Sequence, residues 1–204
     1  MAPVIEWWFN NGVPRPKTIS DQRLIEATSL VIGRAGPGFT LAMVAEEAGV
    51  SVGTVAGRFG SKAGLLRALT ERGIDQAAPV IRAAWDAEPD PVAGLRAAAT
   101  VLHAALGDAR EAANHLGQLG VDLQDPVLRE LLGRYYAAME AELAACCAAA
   151  REGLPGMPAP PVAARVLLGL ANGAALDWSI RPLGTLADRL GEDVDAVLAC
   201  WRRG

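Results

Sequence analysis

The sequence predicts an all-α protein of about nine helices, a three-helix head followed by a larger helical body. Three observations predict it. Hydrophobic residues make up 51% of the 204-residue chain but aromatics only 5%, and the alanine- and leucine-rich share, interleaved with Arg and Glu, favours helix over strand. Between Phe39 and Lys62, in FTLAMVAEEAGVSVGTVAGRFGSK, hydroxyl caps and glycines recur in the register of short capped helices. Elsewhere, Gly and Pro stops at Gly36–Gly38, Glu88–Pro91, Gly153–Pro161 and Arg181–Gly184 cut the chain into helix-sized pieces.

Residues 1–17, with WWF, NNG and prolines at 3, 14 and 16, defeat regular helix and read as an extended N-terminal arm. A solvated tail and an arm that docks through Trp7, Trp8 and Phe9 both fit this composition. Arg15 and Lys17 stand just before the first helix, where an arm can follow a phosphate backbone or enter a minor groove. That helix is expected from about Ser20 to Arg34, capped by Thr18 or Ser20, with Leu24, Ala27, Thr28, Val31 and Ile32 on one face.

Thr40 caps a second helix that turns Leu41, Val44, Ala45 and Ala48 inward. Gly49 supplies the positive backbone angle that stops it, and Ser51 caps a third. Small Ala45 lets the two helices cross, Val50 plugs the gap, Val55 anchors the third helix, and Phe59 closes the cluster. Gly60 ends that helix and Ser61 caps the next. This is the physical content of a helix-turn-helix, and it directs Ser51, Val52, Thr54, Ala56, Gly57 and Arg58 toward a major groove or its flanking phosphates.

The segments LIEATSLVIGRAG, FTLAMVAEEAGVSVGTV and RFGSKAGLL, covering about Leu24 to Leu66, resemble the TetR family of one-component transcriptional regulators. The resemblance implies a helix-turn-helix DNA-binding domain over residues 18–64 and a ligand-binding and dimerisation domain over 65–204. DNA contacts are then expected from Thr40, Ser51, Val52, Thr54, Ala56, Gly57, Arg58 and Lys62, with Arg15 and Lys17 of the arm adding to them. Family members carry a lysine where this chain has Val52, an aromatic at Ala56, and a histidine or aromatic at Gly57. Three contacts are therefore missing, and backbone amides at helix starts are left to hold phosphates. A TetR-like interaction module with weakened DNA recognition is the alternative these departures suggest.

A fourth helix begins at Ser61 with Leu65, Leu66, Leu69 and Ile74, and Pro79 suggests a break or kink before Trp85. Asp90 and Pro91 open a fifth, to about Leu106; a shorter one is expected over Arg110–Leu119. Asp125 and Pro126 open a long helix to about Glu152. The last two are expected over Val162–Ile180 and Thr185–Trp201. Trp85, His103, His115, Gln118, Tyr135, Met139 and Asn172 stand out as large or polar side chains on alanine-leucine helices, and are candidates for an effector pocket. Each also has a plain reading as a packing or surface residue. Val166, Gly169, Leu170 and Gly173 on one terminal helix, and Leu190, Val194, Val197 and Trp201 on the other, can complete the subunit core or meet a second copy. The likeness to the family's dimerisation helices points to a homodimer.

Charge is a weaker guide. Residues 1–75 hold eight Lys and Arg against seven Asp and Glu, and residues 76–204 hold eleven against sixteen, so the head is barely basic. Cys146, Cys147 and Cys200 form neither a disulfide framework nor a zinc pattern. His103 and His115 lack partners at metal-ligand spacing, so no metal and no cofactor are expected. The expected partners are double-stranded operator DNA, a largely apolar small-molecule effector and a second copy of the chain. No stretch has membrane length, Ala2–Phe9 lacks the charged start of a signal peptide, and a cytoplasmic protein is expected. A helical enzyme built on His103, His115, Asp122 and the tyrosines would need a nucleophile motif, paired carboxylates or a phosphate-cradling loop, and the sequence offers none.

Overall fold

The computed structural model describes residues 19–104 and 106–203. The arm, with Trp7–Phe9, Arg15 and Lys17, and Thr18 lie outside the described residues. Among those described there is no strand, and nine α-helices run in order: α1 Asp21–Ala35, α2 Leu41–Ala48, α3 Val52–Phe59, α4 Lys62–Asp86, α5 Pro91–Ala104, α6 Ala109–Asp122, α7 Pro126–Ala149, α8 Pro160–Ile180 and α9 Leu186–Arg203. No helix of the described residues is long and apolar enough to cross a membrane.

Local chemistry sets the head. Ser20, Thr40, Ser51 and Ser61 each accept a hydrogen bond from the backbone N–H three residues on, which satisfies an otherwise orphaned donor at the start of α1, α2, α3 and α4. Gly49 ends α2 at φ 70°, and the Val50 N–H returns to the Ala45 carbonyl at 2.9 Å. At the other end of α3, a Cβ on Gly64 would lie 2.0 Å from the Phe59 carbonyl oxygen; the entry to α4 therefore has room for glycine alone. Leu24, Val31, Phe39, Val44, Val55 and Leu65 form the head core, which continues into the body through Leu128 and Leu131 of α7.

The body packs α4, α5, α7, α8 and α9 around Ile81, Leu95, Met139, Leu143, Leu167 and Val194. Cys146 and Cys147 are fully buried there, and burial pushes their thiols up to about 11 and about 12, so both remain protonated packing groups. Cys200 is free and exposed.

Several expectations are corrected. Pro79 does not break α4, which runs as one helix to Asp86. Proline forfeits one intrahelical bond, but Ala77 and Ile81 beside it are buried against the body, and that packing holds the helix together. Helix α6 extends through Asp122, beyond the expected Leu119 end. The long helix α7 ends at Ala149 and gives way to a 3-10 turn over Arg151–Gly153. The connector that follows packs into the body, with Leu154 and Met157 buried in its core. In α9, Leu190 and Val194 are wholly buried within their own subunit, and Val197 and Trp201 pack beside them against its core. Leu190 and Val194 thus complete the subunit core, while Val197 and Trp201 stay half-buried.

Candidate DNA interface and effector cavities

Helix α3 turns Val55 inward and leaves Ser51, Val52, Gly53, Gly57 and Arg58 exposed, with Thr54 and Ala56 half-buried beside them. This is the expected reading face, and it is sparsely equipped. The hydroxyls of Ser51 and Thr54 lie 3.0 Å apart and share a hydrogen bond. Arg58 is ion-paired with Asp21 of α1. Lys62, expected at a phosphate, donates instead to the carbonyls of Pro37 at 2.6 Å and Phe39 at 2.9 Å, and its ammonium sits 4.1 Å from the centre of the Phe39 ring. Burial lowers its pKa below the ordinary lysine value, partly offset by the charge of Asp122. Thr40 is exposed, but its hydroxyl is used as the α2 cap.

Helix α6 joins this head to the body. The Asn114 side-chain amide donates to the Gly33 carbonyl of α1 at 2.7 Å, and Gly117 stands against the ring of Pro37. A cavity of about 280 Å³ lies between the head and α6, lined by Ile32, Leu66, Leu69, Thr70 and Gly73 on one side and His115, Gln118, Asp122, Leu132 and Tyr135 on the other. A smaller one of about 150 Å³ lies toward α8, lined by His103, Leu116, Tyr136, Asn172 and Ala175. His115 and Leu119 line both.

Polar groups in the smaller cavity are mutually satisfied. The Asn172 Oδ1 lies 3.0 Å from His103 Nε2 and accepts from the Tyr136 hydroxyl at 3.4 Å. An amide oxygen only accepts, so His103 carries its hydrogen on Nε2. Burial lowers the His103 pKa below 6.5, with the Asn172 bond opposing it, and keeps the ring neutral at neutral pH. His115 is lowered by burial against a weaker opposing pull from Glu111. In the larger cavity, Gln118 Nε2 donates to Asp122 Oδ1 at 2.6 Å. Burial raises the Asp122 pKa, while Gln118 and Lys62 hold it down.

Residues 24–69 match the family described as bacterial regulatory proteins, tetR family. No curated protein matches the chain. Among solved structures, a transcriptional regulator from Rhodococcus sp. Rha1 is 25% identical, covers 90% of this chain and 98% of its own, and superposes with a TM-score of 0.68. Residues 24–69 therefore carry a tetR-family segment, on a chain whose whole fold is similar to that of a transcriptional regulator. Two further structures share the fold. FadR from Bacillus subtilis, solved with stearoyl-CoA, has a TM-score of 0.69 at 17% identity, covering 88% of this chain and 98% of its own. SmeT, the repressor of the Stenotrophomonas maltophilia multidrug efflux pump SmeDEF, has a TM-score of 0.60 at 20% identity, covering 90% of each chain. The matched segment and the whole-chain likeness point to a DNA-binding transcriptional regulator rather than an enzyme.

Set against the expected sites, the chain gathers His103, His115, Gln118, Tyr135 and Asn172 around the two cavities. Trp85 and Met139 line neither. Trp85 packs over Gly94 at the start of α5, and Met139, four residues beyond Tyr135, fills the body core. Tyr136 joins Tyr135 in lining a cavity, and Thr70 and Asp122 enter the walls without having been expected there. The Gln118–Asp122 spacing of four on one helix was the available signal for the last of these. On the outer face of α8, Val162, Val166, Leu176 and Ile180 are exposed, and Gly169 and Gly173 between them face open space. Leu170 lies half-buried against the core.

Proposed function

We propose that this regulator is a homodimeric repressor, acting in the cytoplasm, that leaves its operator when a small, largely apolar molecule binds beside α6. One observation carries the reading. Helix α6 holds the head through Asn114 and Gly117 on one face and walls two cavities with His115 and Leu119, so a molecule entering either cavity presses on the element that positions α1. Cavities of this size sit below the range of about 300–1,000 Å³ of drug-sized sites, which favours a compact effector. The ligand named for FadR and the repression named for SmeT are in keeping with this reading. Residues 18–64 serve as the reading head and 65–204 as the sensing and pairing body, joined by the uninterrupted α4.

A single head reads few base pairs, and pairing two heads on half-sites about 34–36 Å apart, or a multiple of that, supplies affinity and specificity. The apolar outer face of α8 supports a second copy there. An effector lowers operator affinity by its differential affinity for the two placements of the heads. The test pairs thermal shift with electrophoretic mobility shift on DNA upstream of the gene, across a panel of apolar small molecules. A compound that raises the melting temperature is expected to weaken the shifted band. Compounds that stabilise the protein yet leave DNA affinity unchanged would overturn the reading.

A further inference from the structure

Three buried side-chain oxygens among the described residues lack a hydrogen-bond partner: Gln118 Oε1, Glu142 Oε1 and Asp177 Oδ2. Two of them are ion-paired, Glu142 with Arg82 and Asp177 with Arg189. Gln118 Oε1 has no such compensation, in a residue only 3% exposed. Rotating the amide does not relieve it. Nε2 is held by the Asp122 carboxylate at 2.6 Å, and a flip would set two oxygens against each other. An unmet buried acceptor is unfavourable unless something outside the chain meets it.

The residue that carries this oxygen lines the larger cavity, whose remaining wall is mainly apolar, with Ile32, Leu66, Leu69 and Leu132. The Thr70 hydroxyl hydrogen is already given to the Leu66 carbonyl at 3.0 Å, so it does not serve Gln118. The wall formed by Gln118 and Asp122 thus offers acceptors. We propose that the cavity between the head and α6 selects a small apolar molecule bearing one hydrogen-bond donor, a hydroxyl or amine hydrogen, which bonds Gln118 Oε1. The site joins Ile32 of α1, in the head, to α4, α6 and α7 of the body. An occupant touches both halves of the regulator at once, and the consequence for DNA rests on the ligand-responsive reading above, while the binding itself does not.

A matched pair of probes isolates the donor: 4-butylphenol, which has one, and 4-butylanisole, which does not. Calorimetric titration of the full-length protein is expected to show the phenol binding roughly three- to tenfold more tightly, the worth of one neutral hydrogen bond. Gln118→Met, or Gln118→Leu where that variant does not fold, is expected to abolish the preference while both compounds still bind. Leu69→Phe, which fills the cavity, is expected to weaken both. Equal affinity of the wild type for the two compounds, a preference that survives loss of the Gln118 amide, or no binding of either would overturn the proposal. DNA binding is read separately by mobility shift. Retained operator binding with release by some other compound, but no phenol preference, sinks this proposal and leaves the regulator reading standing. Loss of DNA binding altogether sinks the regulator reading whatever the phenol does.

Discussion

Arg58 shows how much a reading face depends on what its side chains are already doing. Its guanidinium is paired with Asp21, an exposed contact of the kind worth at most about 1 kcal/mol, so a DNA phosphate can take it over. Asp21→Asn should therefore strengthen DNA binding, and Arg58→Ala should weaken it several-fold and reduce the salt slope by about one ion; fluorescence anisotropy over a salt series checks both. Lys62 is different. Two carbonyls and a ring already occupy it, so Lys62→Met should cost stability more than it costs phosphate contact, read as a lowered denaturation midpoint. The hydroxyl caps and the Gly49 turn were legible because they are local, set by residues within four positions. The ties of Arg58 to Asp21 and of Lys62 to Pro37 and Phe39 cross from one helix to another, and no spacing in the sequence announces them. Gly64→Ala, which forces a methyl onto the Phe59 carbonyl, should destabilise the head by about 3 kcal/mol or more in chemical denaturation.

At the scale of the element, α6 does what a periodicity argument could not assign to it. Its apolar pattern predicted a shorter helix, whereas Asp108 caps it and the Gln118–Asp122 pair carries it to the head. Asn114→Ala removes the amide bond to Gly33 and is expected to leave effector binding intact while reducing the effector's effect on DNA. The neutral state of His103 in the wall toward α8 has a sign that can be worked out. Its folded pKa lies below 6.5, so as pH falls through 6.5 the unfolded chain takes up the proton first and stability is lost, until the lowered folded pKa is reached. Asp122, with its pKa raised above 3.8, works in the opposite direction at lower pH, regaining stability between its folded value and 3.8. Denaturation midpoints between pH 7.5 and 6, as set by the ordinary histidine value of about 6.5, should fall more for the wild type than for His103→Gln. The stripe on α9 was legible as apolar but not as internal. An amphipathic helix shows that it packs, and only the fold shows on what.

For the molecule as a whole, the outer face of α8 is an exposed apolar stripe, with Leu176 50% and Ile180 69% exposed. Leu176→Glu, with Ile180→Glu beside it, should shift the protein toward monomer in light scattering and reduce operator affinity together, because head spacing is set by pairing. The described head, residues 19–64, holds four basic and four acidic side chains, so a strong positive field does not supply specificity, and the proposed pairing of two heads would have to. The most direct measurement is anisotropy of labelled DNA from upstream of the gene against an unrelated fragment of equal length, with wild type and Arg58→Ala at moderate salt. The account predicts saturable binding of a dimer that favours the upstream fragment at least tenfold and is weakened in the variant. Equal affinity for the two fragments, or binding indifferent to Arg58, would contradict it.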